Sequence, residues 1–290
     1  MIKRSVHWVV LVLSLMAVIS CVSHLREAKH FYARAQAFDR EMKAEQALAA
    51  FKRARLEALE AARNNPSSQA YMIKGLAEIG LDSWSEAEDS FRAAFVLGFE
   101  KGEEWAEALA LWGAASTLEE LGLKDSAFRI YKALSGETKL RQVTVLAVQK
   151  YTTLSLERAL QMDPEERGKG LQRLLSDLER ISGRDLGCGY FHYALSQVCG
   201  FLEDYRRGFE EAVLARELGI DGLKLYRDND LQIIFCAGKL SESLTGEGKK
   251  QFDDLFLRWT AKWGWPDRAT PDWKIDLPSA GKSEKPKEKK

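Results

Sequence analysis

The chain of 290 residues is poor both in residues that interrupt helices and in residues that carry chemistry. Only 6 prolines are present, and Pro278 and Pro286 sit near the C-terminus. Proline removes an amide donor and clashes with the preceding turn, so this scarcity leaves room for long uninterrupted helices. Charge of either sign is not in excess: Lys plus Arg and Asp plus Glu are 43 each, and the formal net charge is zero. That balance argues against nucleic acid as the main ligand, because such binding rests on cations facing phosphates. Histidine is scarce as well. His7, His24 and His30 fall in or beside the N-terminal segment, which leaves His192 alone in the body. His192 follows Cys188 by four residues, and the expectation is a helix-surface histidine beside a loop cysteine rather than a thiol–imidazole pair. No HExxH, Walker loop, GxSxG or dinucleotide fingerprint occurs. Gly168-Lys169-Gly170 and Gly187-Cys188-Gly189 read as loop glycines, and Glu103-Glu104 and Glu119-Glu120 read as solvated acids. The 4 cysteines, Cys21, Cys188, Cys199 and Cys236, form no CxxC pair and have no histidines at metal-ligand spacing. Neither catalysis, nor a cofactor, nor a metal is expected. Cys199 and Cys236 lie among apolar neighbours and are expected as buried thiols, one disulfide plus a free thiol being the alternative.

What is present begins with an address. Lys3 and Arg4 precede an apolar run from Ser5 to Val22, the pattern of a signal peptide or of a short transmembrane helix. The run closes on Val18-Ile19-Ser20-Cys21, which resembles the lipobox of bacterial lipoproteins. The resemblance implies cleavage before Cys21 and attachment of lipid to that cysteine, with several acyl chains holding the protein at the bacterial cell envelope. Val22 is not the aspartate that favours inner-membrane retention, so the outer membrane is expected. The alternatives are an uncleaved anchor helix over residues 5–22 in the inner membrane, or a cleaved and secreted chain.

Beyond the address, apolar residues recur at three- and four-residue steps from about Arg26 to Lys262, which predicts helix after helix. The ordinary balance of 46% apolar and 30% charged residues supplies enough apolar surface for a core. Tyr71, Gly75, Trp84, Ala87, Phe91 and Ala94 resemble the tetratricopeptide signature. Small residues stand where two antiparallel helices cross, and an aromatic fills the gap between them. A 34-residue step reaches back to Phe38, Met42, Phe51, Ala54, Ala58, Ala61 and Pro66. After a short insertion around Gly102–Glu107 it reaches forward to Leu111, Ala115, Ala127 and Tyr131, and a further copy is Leu195, Ser196, Tyr205, Gly208, Ala212 and Ala215. Ser83 with Glu86 reads as a capping box, and Asp163, Pro164 and Glu166 as a helix start. Lys74 departs from the signature's leucine and Gly208 from its alanine, and Gly136–Arg158 matches poorly, where degenerate hairpins are expected.

The fold implied is all-α: a right-handed solenoid of tetratricopeptide-like hairpins over residues 21–222, closed by a helical cap over 223–277 and followed by a Lys-rich tail over 278–290. Within the cap, Asp228-Asn229-Asp230-Leu231 is expected to break the chain before a short helix ending near Lys239. Trp259, Trp263, Trp265 and Trp273 are expected to fold back over the last repeat. In such arrays the first helix of each hairpin lines a concave groove. Carried onto this sequence, the resemblance gives Met72, Ile73 and Leu76, then Trp112 and Ser116, then Tyr190, Tyr193 and Gln197 as groove residues. That lining is apolar and aromatic and suits a protein or peptide partner, an amphipathic helix or extended apolar segment. The function implied is a membrane-anchored scaffold for protein–protein interaction; the alternative is a binder of a small apolar ligand or peptide serving transport. If this register holds, Ala87→Leu or Ala94→Leu should cost roughly 1–3 kcal/mol by overpacking, read from chemical denaturation.

Overall fold

The computed structural model describes residues 24–137, 140–220 and 223–264. The lipobox with Cys21, the Lys-rich tail, Trp265 and Trp273 lie outside the described residues, as does the side chain of Trp263. Among the described residues twelve helices follow one another: α1 (24–40), α2 (Ala44–Asn64), α3 (Ser68–Ile79), α4 (Trp84–Leu97), α5 (Glu104–Glu120) and α6 (Lys124–Glu137), then α7 (Arg141–Leu160), α8 (Pro164–Ser182), α9 (Gly189–Phe201), α10 (Tyr205–Leu218), α11 (Leu223–Ser243) and α12 (Gly246–Trp263). No helix among the described residues is long and apolar enough to cross a membrane. The chain is an all-α solenoid of helical hairpins.

Its period differs from the one expected. The even-numbered helices begin at Ala44, Trp84, Lys124, Pro164 and Tyr205, steps of 40, 40, 40 and 41 residues. The six-residue insertion read between Gly102 and Glu107 is therefore present in every repeat. Four of the hairpins close through one recurring turn. The amides of Lys43, Ser83, Leu123 and Asp204 donate to the carbonyls of Phe38, Glu78, Leu118 and Cys199 at 2.8, 2.9, 2.8 and 3.0 Å. Each turn passes through a left-handed residue, Met42, Asp82, Gly122 or Glu203. This is the Schellman closure of a helix, and its glycine position is filled by glycine only once, which hides the period from a reading of turn residues.

In the true register Ala47, Ala87, Ala127 and Gly208 align, and all four are buried. Phe51, Phe91, Tyr131 and Leu171 align one turn later, and Ala54, Ala94, Leu134, Leu174 and Ala215 one turn beyond that. Of these only Phe51 is half-exposed. The crossing is tightest around Phe91. A methyl placed on Gly75 of α3 would stand 2.9 Å from Phe91 Cζ, and one on Gly113 of α5 would overlap the same atom. Neighbouring helices pack along the whole chain. The odd-numbered ones also pack in order, α3 on α5, α5 on α7, α7 on α9 and α9 on α11, while even-numbered helices make no comparable contact with one another among the described residues. The odd helices thus form the closer, inner layer of a curved stack.

Local signals fared unevenly. Asp163 caps α8 as expected, its carboxylate accepting from Glu165 N and Glu166 N with Pro164 in the first turn. Ser83 makes no side-chain cap bond, so the expected capping box is absent. Gly168 and Gly170 lie inside α8 rather than in a loop. The poorly matching stretch Gly136–Arg158 is the end of α6 and most of α7, an ordinary hairpin element. The clearest correction is α11, which runs unbroken through Asp228–Leu231. Polar side chains break helices by competing for backbone groups, and here two of them are engaged elsewhere. Asn229 Nδ2 donates to Ala212 O at 2.9 Å, and Asp230 pairs with the buried guanidinium of Arg216 on α10. That guanidinium lies 4.9 Å from the Tyr226 ring centroid and 5.3 Å from that of Trp259. Trp259, with Phe252 and Phe256, docks α12 on Phe209, Ile233 and Cys236.

Gly113→Ala should destabilise by about 1–3 kcal/mol through displacement of Phe91, outweighing the gain of up to ~1 kcal/mol that alanine brings to a helix. Urea unfolding checks this, and adding Phe91→Leu to the same chain should recover part of the loss.

Candidate partner-binding face

The expected groove residues lie on the odd-numbered helices of the inner layer, and they divide there. Met72, Ile73 and Leu76 are buried, at 0, 3 and 2% exposure. They form one apolar cluster with Ala28 of α1 and with Ala106 and Ala110 of α5. These three are core, not groove, and the physical reason is the small residues around them. Alanines on both neighbouring odd helices let α1 and α5 close over the inner side of α3. An aspartate at Met72 would accordingly unfold this hairpin rather than merely repel a partner.

Ser116 is also buried and turned toward the hydroxyl of Tyr131. Beside it, Glu119 accepts from Tyr131 Oη at 3.0 Å and pairs with Lys150 of α7 at 3.0 Å. The expected solvated acid is thus a bridge between three helices. Tyr193 is buried too, against Ala215, Ile220 and Leu225. Burial, reinforced by nearby Asp228, pushes its phenol well above the usual range, so it stays protonated. Its hydroxyl accepts from Gln197 Nε2 at 3.0 Å. Trp112, Tyr190 and Gln197 remain half-exposed. Tyr190, Tyr193 and Gln197 share one face of α9, whereas Trp112 stands two odd helices away on α5.

Between them runs α7, which supplies Gln149 and Thr153, half-exposed and exposed respectively. The residue-type match passed over both. Their signal was the spacing: Gln69, Leu109, Gln149 and Tyr190 follow one another at 40, 40 and 41 residues on successive odd helices. The last odd helix, α11, adds Leu231 and Phe235, exposed to 37 and 46%. The open part of the inner face therefore spans α5 to α11. Its open residues are aromatic, aliphatic, amide or hydroxyl side chains, able to cover an apolar segment and to hydrogen-bond its backbone.

The chemistry-bearing side chains elsewhere are engaged inside the fold. Cys188, Cys199 and Cys236 are unpaired and buried; burial pushes the Cys199 thiol up to about 12 and that of Cys236 up to about 11. Thiols held that high are poor nucleophiles. Among the described residues no three His, Cys, Asp or Glu side chains converge to hold a metal ion. His192, expected on a helix surface, is buried between α9, α10 and the loop before α9. Its Nδ1 lies 2.6 Å from Glu211 Oε2 and its Nε2 lies 3.1 Å from the Leu186 carbonyl. Both partners are acceptors, so both ring nitrogens donate and the imidazolium is favoured. The bond to Glu211 raises its pKa, burial opposes, and the Leu186 carbonyl adds to the rise. Glu211 is held in turn by Arg207, 3.6 Å from its other oxygen, and Arg207 pairs with Glu179 of α8 at 2.7 Å.

No family model matches the chain, and no curated protein matches it. Among solved structures it is similar to PilF of Pseudomonas aeruginosa, at 11% identity and a TM-score of 0.46, over 80% of this chain and 99% of that one. It is also similar to YrrB, described as a TPR protein with an unusual peptide-binding site. There the identity is 18% and the TM-score 0.36, over 65% of this chain and 84% of that one. At such identities and scores neither likeness carries a function to this chain, and the repeat architecture rests on the packing described above.

Because the folded pKa of His192 is raised, its contribution to stability is complete below the unfolded value of about 6.5. It is lost as pH rises through the folded value. The urea midpoint should fall across that window, and His192→Gln should flatten the fall.

Proposed function

We propose that this chain is a membrane-tethered scaffold of tetratricopeptide type in the bacterial cell envelope, which holds an extended apolar segment of another protein and performs no catalysis. The observation that carries the reading is the inner face itself. From α5 to α11 it presents Trp112, Gln149, Tyr190, Gln197 and Phe235 on successive odd helices. Aromatic side chains give large contact area at small entropic cost, and amide side chains satisfy the backbone of a bound strand-like segment. The partner's segment lies across the odd helices, clear of α3, where the inner face is closed.

The tether is Cys21, carrying lipid, with the outer membrane as its address. Support comes from the lipobox-like Val18-Ile19-Ser20-Cys21 and from Val22 in place of aspartate.

Two measurements test the two halves. Intact mass of the protein isolated from bacterial membranes should show loss of the first 20 residues, together with an acyl adduct that disappears in Cys21→Ser. An unprocessed chain in both forms would move the protein to the inner membrane with residues 5–22 as its anchor. For the groove, a photo-crosslinking amino acid at Tyr190 should capture a discrete envelope protein in living cells. The same group at exposed Leu48 on α2 should capture none, and Gln197→Arg should abolish the adduct at 190. Adducts at 48 but not at 190 would place the partner on the outer layer and end the groove assignment.

A further inference from the structure

The chain enters the solenoid at one particular edge. His24 opens α1 with its Nδ1 2.7 Å from Glu57 Oε2 in the C-terminal half of α2. Leu25 packs against Ala61, Ala62 and Ala70. That edge consists of the first turns of odd-numbered helices and the last turns of even-numbered ones. Only Val22 and Ser23 separate Cys21 from His24. A fully extended chain spans at most ~3.6 Å per residue, so Cys21 lies within about 11 Å of the start of α1. Whether lipid sits on Cys21 or residues 5–22 span the bilayer, a tether leaves almost no slack.

The same edge carries an apolar patch beside that entry point. Phe95, Val96 and Leu97 end α4 at 37, 83 and 47% exposure, and Trp105 opens α5 at 39%. Trp105 is tied directly to α1: Lys29 Nζ stands 5.3 Å from its ring centroid and also bonds Gln69 on α3. Of the nearby acids, Glu103 is half-buried and turned to internal work, whereas Glu100, Glu104 and Glu107 are exposed. Glu103 accepts from Gln69, from Ser68 and from the amide of Glu100, and Glu104 accepts from the amide of Gly102. The opposite edge also exposes apolar residues, Leu121 and Leu123 among them. It is set off by the length of α5, whose 17 residues rise about 25 Å at 1.5 Å each, well beyond the reach of the tether.

Resting on the tether reading above, we propose that the solenoid lies against the bilayer by this edge, with Val96 and Leu97 in the boundary between headgroups and acyl chains and Trp105 at the interface. Tryptophan favours that depth because its ring is apolar and its N–H can stay hydrated. The partner is the lipid surface itself, and the edge bearing Leu123 faces away from it.

The test uses the full chain purified with its native N-terminus and reconstituted into vesicles of phosphatidylethanolamine and phosphatidylglycerol. Val96→Cys and Leu123→Cys are each labelled with an environment-sensitive fluorophore; both positions are exposed, Cys188, Cys199 and Cys236 are buried and resist labelling, and Cys21 is blocked by its lipid or, in an uncleaved chain, replaced by serine. The expected result is a severalfold intensity gain with a blue shift at position 96 on vesicles and no change at 123. Trp105→Ala should reduce the gain at 96 without releasing the protein from the vesicles. Vesicle-bound protein with unchanged emission at 96, or with equal gains at both positions, overturns the edge contact while leaving the tether standing. Protein that does not float with the vesicles overturns the tether reading and this inference with it.

Discussion

The packing of this solenoid turns on a large side chain from an even-numbered helix, Phe91 of α4, entering space that small residues on odd-numbered helices leave open. Phe91 shows the constraint at its tightest, its ring seated against both Gly75 and Gly113. Because one ring serves two odd helices, it fixes the crossing within a hairpin and the approach of the next hairpin together. Close packing of this kind leaves no room for even one added methyl. A similar contact recurs with Phe51 against Gly80, while Gly189 permits a different one, close approach to the carbonyls of Ala215 and Gly219. The short distances such packing permits in the inner layer are what curve the stack, and what close the inner face over α3.

Superposed on this apolar frame is a set of buried polar ties. Lys74, standing where the tetratricopeptide pattern has leucine, pairs with Glu78 at 2.7 Å, and both engage Ser90 of α4. Glu119 joins α5, α6 and α7; His192 joins α9 to α10 and to the loop before α9; Arg216 and Asp230 join α10 to α11. A buried ion pair pays for its desolvation only when its geometry is good, so such pairs are weak evidence for added stability. Their effect here is on register. Each places a charge where specific partners on neighbouring helices satisfy it, so a slipped hairpin would strand that charge.

The two proposed surfaces draw on the same architecture. Closure at α3 leaves the half-exposed inner residues on α5–α11, and the entry of α1 at one edge would orient the stack with respect to the proposed tether. A scaffold of the proposed kind would meet the bilayer by that edge and present aromatic and amide residues on its inner face.

Much of this was legible in the residues alone. Scarce proline and three- and four-residue apolar spacing determine an all-helical chain, because those patterns act within a turn or two of backbone. The small–aromatic–small spacing of Gly75, Ala87, Phe91 and Ala94 likewise determines the hairpin crossing. The period was not legible: turns closed by Met42, Asp82 and Glu203 carry no glycine to mark them, so a 34-residue step fitted short stretches as well as the true 40. Of the expected groove residues, Trp112, Tyr190 and Gln197 are half-exposed while Met72, Ile73, Leu76, Ser116 and Tyr193 are buried. Residue type states what a side chain can do, but exposure depends on how closely the next helix approaches. That distance is set by alanines and glycines tens of residues away, and only the tertiary packing brings them together.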